Sequence, residues 1–219
     1  MHLTFRNCIG GVAGLLVLAL LPATALALPV ISEVFYDAVG SDDGLSFVEL
    51  YGQPGASLAG LFVDNVNGAN GAVGPTLALS GTFPASGIFV VADATAAGVS
   101  SVAGADLLLD FDFQNGPDSV VLRVGDSVLD AVGYGVFAAA EVFAGEGAPA
   151  VDPAAGASLA RRFADVDTGD NAADFISLAV PTPGSAPLAA VPEPGSAALL
   201  AAGLASLAVA RSRRENAPL

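Results

Sequence analysis

The sequence of 219 residues contains no lysine and no tryptophan, and it has one histidine and one cysteine. The histidine, His2, and the cysteine, Cys8, both lie within the first ten residues. In the body of the chain, Ser–His–Asp and Cys–His catalytic arrangements and histidine metal clusters are therefore excluded. The lack of lysine excludes Schiff-base chemistry and a P-loop in the same way.

Positive charge is scarce in the body of the chain. Residues 28–190 hold three arginines, Arg123, Arg161 and Arg162, against twenty acidic residues. Nucleic-acid binding depends on clustered Lys and Arg that neutralise phosphates, so we expect no nucleic-acid partner. Arg161 and Arg162 are adjacent, so on a strand they point to opposite faces. We expect one of them to pair with an acid at the rim of the fold and the other to face solvent.

The N-terminus has the order of features of a secretory signal peptide. Arg6 precedes the apolar run Gly10–Leu21, and Ala25-Leu26-Ala27 provides small residues at the spacing that a signal peptidase accepts. We predict a signal peptide over residues 1–27, with cleavage after Ala27. Cys8 would be lost with it, so the exported chain must fold without disulfides.

Residues 30–135 show short, apolar, β-branched runs separated by turn formers, which is typical of strands. The runs are VISEVFYDA, SFVELYG, GIFVVAD, DSVVLRVG and SVLDAVGYG. In the second and fourth runs Glu49 and Arg123 occupy alternate positions, which predicts strands with one buried face and one wet face. Gly125-Asp126 predicts a tight hairpin. With no convincing amphipathic helix from Val30 to Ala179, the pattern predicts an all-β antiparallel sandwich or barrel, and about 160 residues suffice for one domain.

The C-terminal part changes character. Residues 181–194 contain five prolines and no β pattern, which predicts an extended spacer. The apolar run Gly195–Ala210 follows, and sixteen helical residues span roughly 24 Å against a hydrocarbon core of about 30 Å. We therefore predict a short, marginal transmembrane helix, held by the arginine cluster that begins at Arg211 on the cytoplasmic side.

The body of the chain resembles a bacterial lamin-tail-like domain. The resemblance rests on the opening VISEVFYDAVGSDDGLSFVELYG, on the hairpin NGPDSVVLRVGDSVLDAVGYG, and on DPAAGASLARRFADVDTGDNAADFISLAVPTPGSA, which includes a Ser-Leu-Ala-Arg strand. It implies an immunoglobulin-like antiparallel β-sandwich over residues 28–184, followed by a Pro/Ala linker over residues 185–190. At the domain exit, Ser185-Ala186-Pro187 departs from the family pattern.

Residues 191–215 resemble the PEP-CTERM sorting signal of Gram-negative bacteria. A Pro-Glu-Pro motif, an apolar run and a basic cluster occur in that order, and the motif residues are Pro192, Glu193, Pro194, Arg211, Arg213 and Arg214. The resemblance implies an exosortase-type membrane protease or transpeptidase as the partner, which recognises the signal and cleaves near the motif. It also implies transient anchoring in the inner membrane and a final place at the cell surface or in the extracellular matrix.

Carboxylates are the catalytic side chains that remain. The close pairs Asp42/Asp43, Asp110/Asp112 and Glu141/Glu146 lie in turns or at strand ends, and there is no tryptophan to form a sugar platform. We interpret them as solvated surface acids and expect no catalytic residues and no cofactor.

The stretch DVDTGDNAAD offers close-spaced oxygen donors, and the weak calcium candidates are Asp165, Asp167, Asp170 and Asp174. An EF-hand loop has an oxygen donor at its fifth position and glycine at its sixth. In this stretch Gly169 is fifth and Asp170 is sixth, so the EF-hand pattern is not met. A structural turn with Asx-type hydrogen bonds is the favoured interpretation, and a calcium site is the alternative.

These observations predict an exported, non-enzymatic protein with a structural or adhesive role in the extracellular polysaccharide matrix, where polysaccharide or surface proteins are its partners. Two alternatives stay open. One is a calcium-dependent adhesion module, and the other is an accessory module of a secreted hydrolase or nuclease.

Overall fold

The computed structural model describes residues 28–190, Leu200, residues 203–207 and Arg211. Residues 28–190 form two stacked β-sheets with one short helix. The six-stranded sheet has the order β10-β9-β1-β2-β5-β6, and the four-stranded sheet has the order β4-β3-β7-β8. Neighbouring strands are antiparallel except for β5 and β6, which are parallel. The predicted all-β sandwich is confirmed.

The strands are short, as the spacing of turn residues predicts. The six-stranded sheet consists of β1 (Val30–Phe35), β2 (Phe47–Tyr51), β5 (Ile88–Asp93), β6 (Leu107–Leu109), β9 (Ser158–Arg161) and β10 (Phe175–Leu178). The four-stranded sheet consists of β3 (Leu61–Asn67), β4 (Val73–Ala78), β7 (Asp118–Val124) and β8 (Ser127–Tyr134). The helix α1 (Asn171–Asp174) directly precedes β10.

The five apolar runs form β1, β2, β5, β7 and β8, so their prediction as strands is confirmed. The hairpin at Gly125-Asp126 is confirmed as well, because Val124 pairs with Ser127 across the turn and Gly125 adopts a φ of 54°. A positive φ is accessible to glycine at little cost, which is why the turn can be this tight.

The main core lies between the two sheets. Val48 and Leu50 of β2 pack there with Leu122 of β7, and all three are fully buried. The rings of Tyr36 and Tyr134 stack with their centroids 4.2 Å apart. This core follows from the alternating apolar positions of facing strands.

The outer face of the six-stranded sheet is buried rather than wet. Phe35 and Phe47 belong to a second apolar cluster on this face, which also includes Val90. Glu49, which the alternation placed on a wet face, is fully buried. That prediction was wrong because loops and the C-terminal segment of the domain cover the face. Arg123 retains an exposed side-chain fraction of 26%, but Ser119 and Val121 on the same face of β7 are buried, so the predicted wet face is limited to the end of the strand.

The segment predicted to be an extended spacer lies on the domain as far as Ala189. Residues 181–190, which we call the strap, donate or accept hydrogen bonds to the sandwich at Thr182, Gly184, Pro187 and Ala189. The Pro-rich composition favours an extended chain, but the sandwich surface provides specific partners for its backbone.

The structure describes only a small part of the two predicted membrane segments. The predicted signal peptide, residues 1–27, and most of the predicted C-terminal span lie outside the described residues. Leu200, residues 203–207 and Arg211 are helical. Within the described part of the chain, no helix combines the length and the apolar character needed to cross a membrane.

Candidate functional site

Arg161 joins the two sheets. Its side chain extends from β9 of the six-stranded sheet, is 1% exposed, and lies over the Phe175 ring at 4.6 Å. Nη2 donates to both carboxylate oxygens of Asp130 on β8, at 2.9 and 2.8 Å. Nε donates to the Ile31 carbonyl of β1 at 2.9 Å, and the Asp130 carboxylate also accepts from the Ile31 amide. The fork geometry of the guanidinium thus connects three strands through one side chain.

The same guanidinium fixes the loop that leads into α1. Nη1 donates to Asp174 at 2.9 Å and to Asp167 at 3.4 Å. Asp174 accepts further hydrogen bonds from the Thr168 amide and hydroxyl, at 2.9 and 2.7 Å. Removing charges from water is costly unless each one is paired and hydrogen-bonded, and this network meets that condition for Asp130, Asp174 and Arg161. Arg162 is exposed and donates to the Ala173 carbonyl. The prediction that one of the two adjacent arginines pairs with an acid while the other faces solvent is therefore confirmed.

Three carboxylates approach one another beside Arg161. One oxygen each from Asp130, Glu146 and Asp167 lies within 4.8 Å of the others. Burial raises the pKa of Glu146 to about 7, and the Asp130 and Asp167 carboxylates add to this effect. Glu146 Oε2 is buried and accepts no hydrogen bond from the described residues. These are the side chains that could hold a cation, but Arg161 already supplies positive charge to two of them.

The four aspartates of the DVDTGDNAAD stretch do not converge on one point. Asp165 accepts the Ala189 amide at 2.6 Å, Asp167 accepts the Gly169 amide at 3.0 Å, and Asp174 binds Arg161. Asp170 caps α1 by accepting the Ala172 amide. Of the four, Asp167 alone belongs to the carboxylate group beside Arg161.

The acidic pairs Asp42/Asp43 and Asp110/Asp112 share a cavity of about 360 Å³ with Asp93. Burial raises the pKa of Asp112, and the carboxylates of Asp42 and Asp93 raise it further. The Asp93 carboxylate already accepts hydrogen bonds from the backbone amides of Gly44 and Phe111. Asp42 likewise accepts the Ala38 amide. These bonds fix loops at the end of the sheet.

Two buried glutamates lie side by side on the outer face of the six-stranded sheet. Glu33 of β1 and Glu49 of β2 are partners in the strand register, and they are 1% and 0% exposed. Like charges directly opposite each other destabilise a sheet, so this pair needs compensation. Ser158 donates to Glu33, and Ser32 donates to Glu49.

The remaining donors to this pair come from the strap. The Thr182 amide and hydroxyl donate to Glu33, at 2.9 and 2.7 Å, and the Gly184 amide donates to Glu49 at 2.7 Å. Thr182-Pro183-Gly184-Ser185 forms a type II turn, with Gly184 at φ 85° and the Ser185 amide bonded to the Thr182 carbonyl. The turn is what Pro-Gly favours, and it directs two backbone amides at the glutamates.

Sequence reasoning missed this glutamate pair. The available signal was a single glutamate in the middle of each of two apolar strands, SEVF and VELY, together with the downstream turn sequence TPGS. A carboxylate in such a strand either faces solvent or is buried with a hydrogen-bond donor. Here the donors, Thr182 and Gly184, are distant in sequence, so the sequence pattern did not reveal them.

The sorting-motif residues lie at the edge of the described region or beyond it. Arg211 is helical and exposed. The other predicted motif residues, Pro192, Glu193, Pro194, Arg213 and Arg214, lie outside the described residues.

Comparison with known proteins identifies one segment of the chain. Residues 190–214 match the family model of the PEP-CTERM protein-sorting motif. No curated protein and no solved structure matches the chain. The motif indicates sorting by an exosortase system, and it implies export with a surface or extracellular location.

Replacement of Arg161 tests the buried network. Arg161→Met leaves Asp130 and Asp174 buried without a cation, so we expect a loss of unfolding free energy of about 3–5 kcal/mol, or failure to fold. The control is Arg162→Met, an exposed neighbour whose change should cost about 0.5 kcal/mol or less. Urea unfolding of the purified protein gives both values. Equal losses for the two variants would contradict the structural role of Arg161.

Glu49 generates a prediction about pH. Burial raises its pKa from 4.5 to about 7, against the opposing hydrogen bonds from Ser32 and Gly184. The folded state therefore favours the protonated form, and the stability that Glu49 contributes is full below pH 4.5 and is lost as the pH rises through about 7.

Glu49→Gln cannot ionise; its one acceptor oxygen can accept the Gly184 amide, while its NH2 group can donate to the Ser32 hydroxyl, and any cost of this change does not vary with pH. Its unfolding free energy relative to the wild type should therefore rise between pH 4.5 and pH 8, by about 2–3 kcal/mol at most. Urea unfolding at both pH values measures the difference. A difference that is independent of pH would contradict the raised pKa.

Proposed function

We propose that this chain is an exported, non-catalytic β-sandwich protein that an exosortase-type system sorts through residues 190–214. The observation that carries the proposal is the PEP-CTERM match, which begins at the last residue of the strap of a folded, acidic domain. The partner in this proposal is a membrane-embedded protease or transpeptidase that recognises the Pro-Glu-Pro segment, the apolar run and the basic cluster.

The proposal includes the route of the chain through the envelope of a Gram-negative bacterium. Residues 1–27 direct export and are removed, and Gly195–Ala210 holds the chain briefly in the inner membrane. Arginines that flank the apolar segments remain on the cytoplasmic side, so the sandwich lies outside the inner membrane. A short apolar span supports transient anchoring, because it makes a weak permanent anchor.

The proposed role is structural or adhesive, within or beside an extracellular polysaccharide matrix. Three features support it: the body of the chain lacks histidine, cysteine and lysine, it carries a large excess of acidic residues, and the carboxylates of Asp42 and Asp93 accept hydrogen bonds that fix loops. A sandwich hosts many functions, so the support comes from these residues rather than from the architecture.

We also propose that the sandwich is a lamin-tail-like domain. The segment SLAR forms β9 beside β1, and the two halves of NGPDSVVLRVGDSVLDAVGYG form the β7–β8 hairpin. These are the places where the sequence resemblance puts a strand and a hairpin. The antiparallel two-sheet arrangement supports the proposal.

A variant of the sorting motif tests the proposed function. In cells that carry the exosortase system, Pro192→Ala combined with Pro194→Ala should prevent the loss of mass that accompanies processing, and the protein should remain with the membranes. Mass spectrometry of membrane and medium fractions gives both termini and the location. The control is Pro54→Ala, which changes an exposed proline outside the motif. If the motif variant is processed and located like the control, the sorting proposal is wrong.

A further inference from the structure

The outer half of the strap is bound to the loop that follows β9. The Ala164 amide donates to the Pro187 carbonyl at 2.8 Å. The Ala189 amide donates to the Asp165 carboxylate at 2.6 Å. These two bonds hold the strap on both sides of Leu188, which is itself half exposed.

The sorting motif follows these contacts almost immediately. The family match begins at residue 190, and Pro192 is three residues beyond Ala189. Partners that bind an extended peptide pair with backbone groups of several consecutive residues, and the residues directly before the motif are those of the outer half of the strap.

The same backbone atoms cannot occupy the domain surface and a partner's cleft at once. The Ala189 amide is engaged by Asp165, and the Pro187 carbonyl is engaged by Ala164. We propose that the docked strap restrains the sorting motif, and that Pro187–Ala189 must detach from the loop after β9 before the exosortase-type partner can engage the chain. This inference rests on the proposed function and adds a regulatory contact to it.

The two halves of the strap differ in how firmly they are held. The inner half supplies donors to Glu33 and Glu49, which are almost completely buried, so its detachment would leave buried carboxylates without these donors. The outer half is bound through the exposed Asp165 and through the amide of the buried Ala164, so its detachment leaves no buried carboxylate without donors. Detachment therefore stops at the turn around Gly184, and the sandwich stays folded while the outer half opens.

Asp165 is the side chain to change. Asp165→Ala removes the acceptor of the Ala189 amide, and the loss of one hydrogen bond to a charged group raises the detached fraction about tenfold. Asp126→Ala is the matched control, because it removes one exposed carboxylate from the β7–β8 turn, far along the chain from the strap. The opposite change is a lock, Asp165→Cys with Ala189→Cys. The mature body of the chain has no other cysteine, so the lock can form one disulfide.

The measurement is a pulse–chase of full-length protein in cells with the exosortase system, with processing followed by the loss of mass. We expect Asp165→Ala to be processed about tenfold faster than Asp126→Ala, as its detached fraction predicts. We expect the oxidised lock to be processed more slowly than the wild type, and the reduced form, which lacks the Asp165 acceptor, to be processed faster than the wild type, as Asp165→Ala is. Equal rates for the two alanine variants, or a lock processed at the wild-type rate, would overturn the inference.

The controls separate this inference from the sorting proposal. The variant with Pro192→Ala and Pro194→Ala must remain unprocessed, because otherwise the sorting proposal itself fails. If that variant is unprocessed while the strap variants match the wild type, sorting stands and the restraint by the strap is refuted. Should Asp165→Ala fail to accumulate as folded protein, the lock alone decides, since it retains a link at the same position. An unprocessed wild-type chain overturns both proposals.

Discussion

A buried carboxylate must find a cation or hydrogen-bond donors, and this chain has few cations to offer. Its fold nevertheless buries acidic side chains in both sheets: Glu33, Glu49, Asp64, Asp93, Asp118, Asp130 and Asp174. Arg161 forms salt bridges with Asp130 and Asp174, and Arg123 forms one with Asp64. The other buried carboxylates depend on hydroxyl and backbone donors, as Asp93 does on the amides of two loops. The loops and the strap therefore stabilise the fold by donating hydrogen bonds to its buried carboxylates.

This constraint links the domain to the segment that sorts it. Because Glu33 and Glu49 take donors from the turn around Gly184, the chain cannot leave the sandwich at its last strand. In the described part of the chain, the last residue bonded to the sandwich is Ala189, next to the first residue of the sorting-motif match. In our proposal, the strap couples the folding of the sandwich to sorting, because it holds the chain next to the motif.

Local patterns predicted the strands well, since the apolar runs that became β1, β2, β5, β7 and β8 carry their signal within a few residues. Short strands such as β6, with three residues, carry too little pattern to be recognised. The sorting motif was predictable because its order of features is itself local. The pairing of Glu49 with Gly184 was not, because it joins residues 135 positions apart and depends on the finished sheet. The same holds for Arg161 and Asp130, although a partner for one of the adjacent arginines was expected.

Amide hydrogen exchange of the strap, measured by NMR on the folded protein, tests the central claim most directly. The claim is that the buried glutamates hold the inner half of the strap, at Thr182 and Gly184, to the sandwich. It predicts that the amides of Thr182 and Gly184 exchange at least about a hundredfold more slowly than in an unstructured peptide. It also predicts intermediate protection at Ala189, whose acceptor is the exposed Asp165. Exchange of Thr182 and Gly184 at the rate of an unstructured peptide, while the sheet amides stay protected, would contradict it.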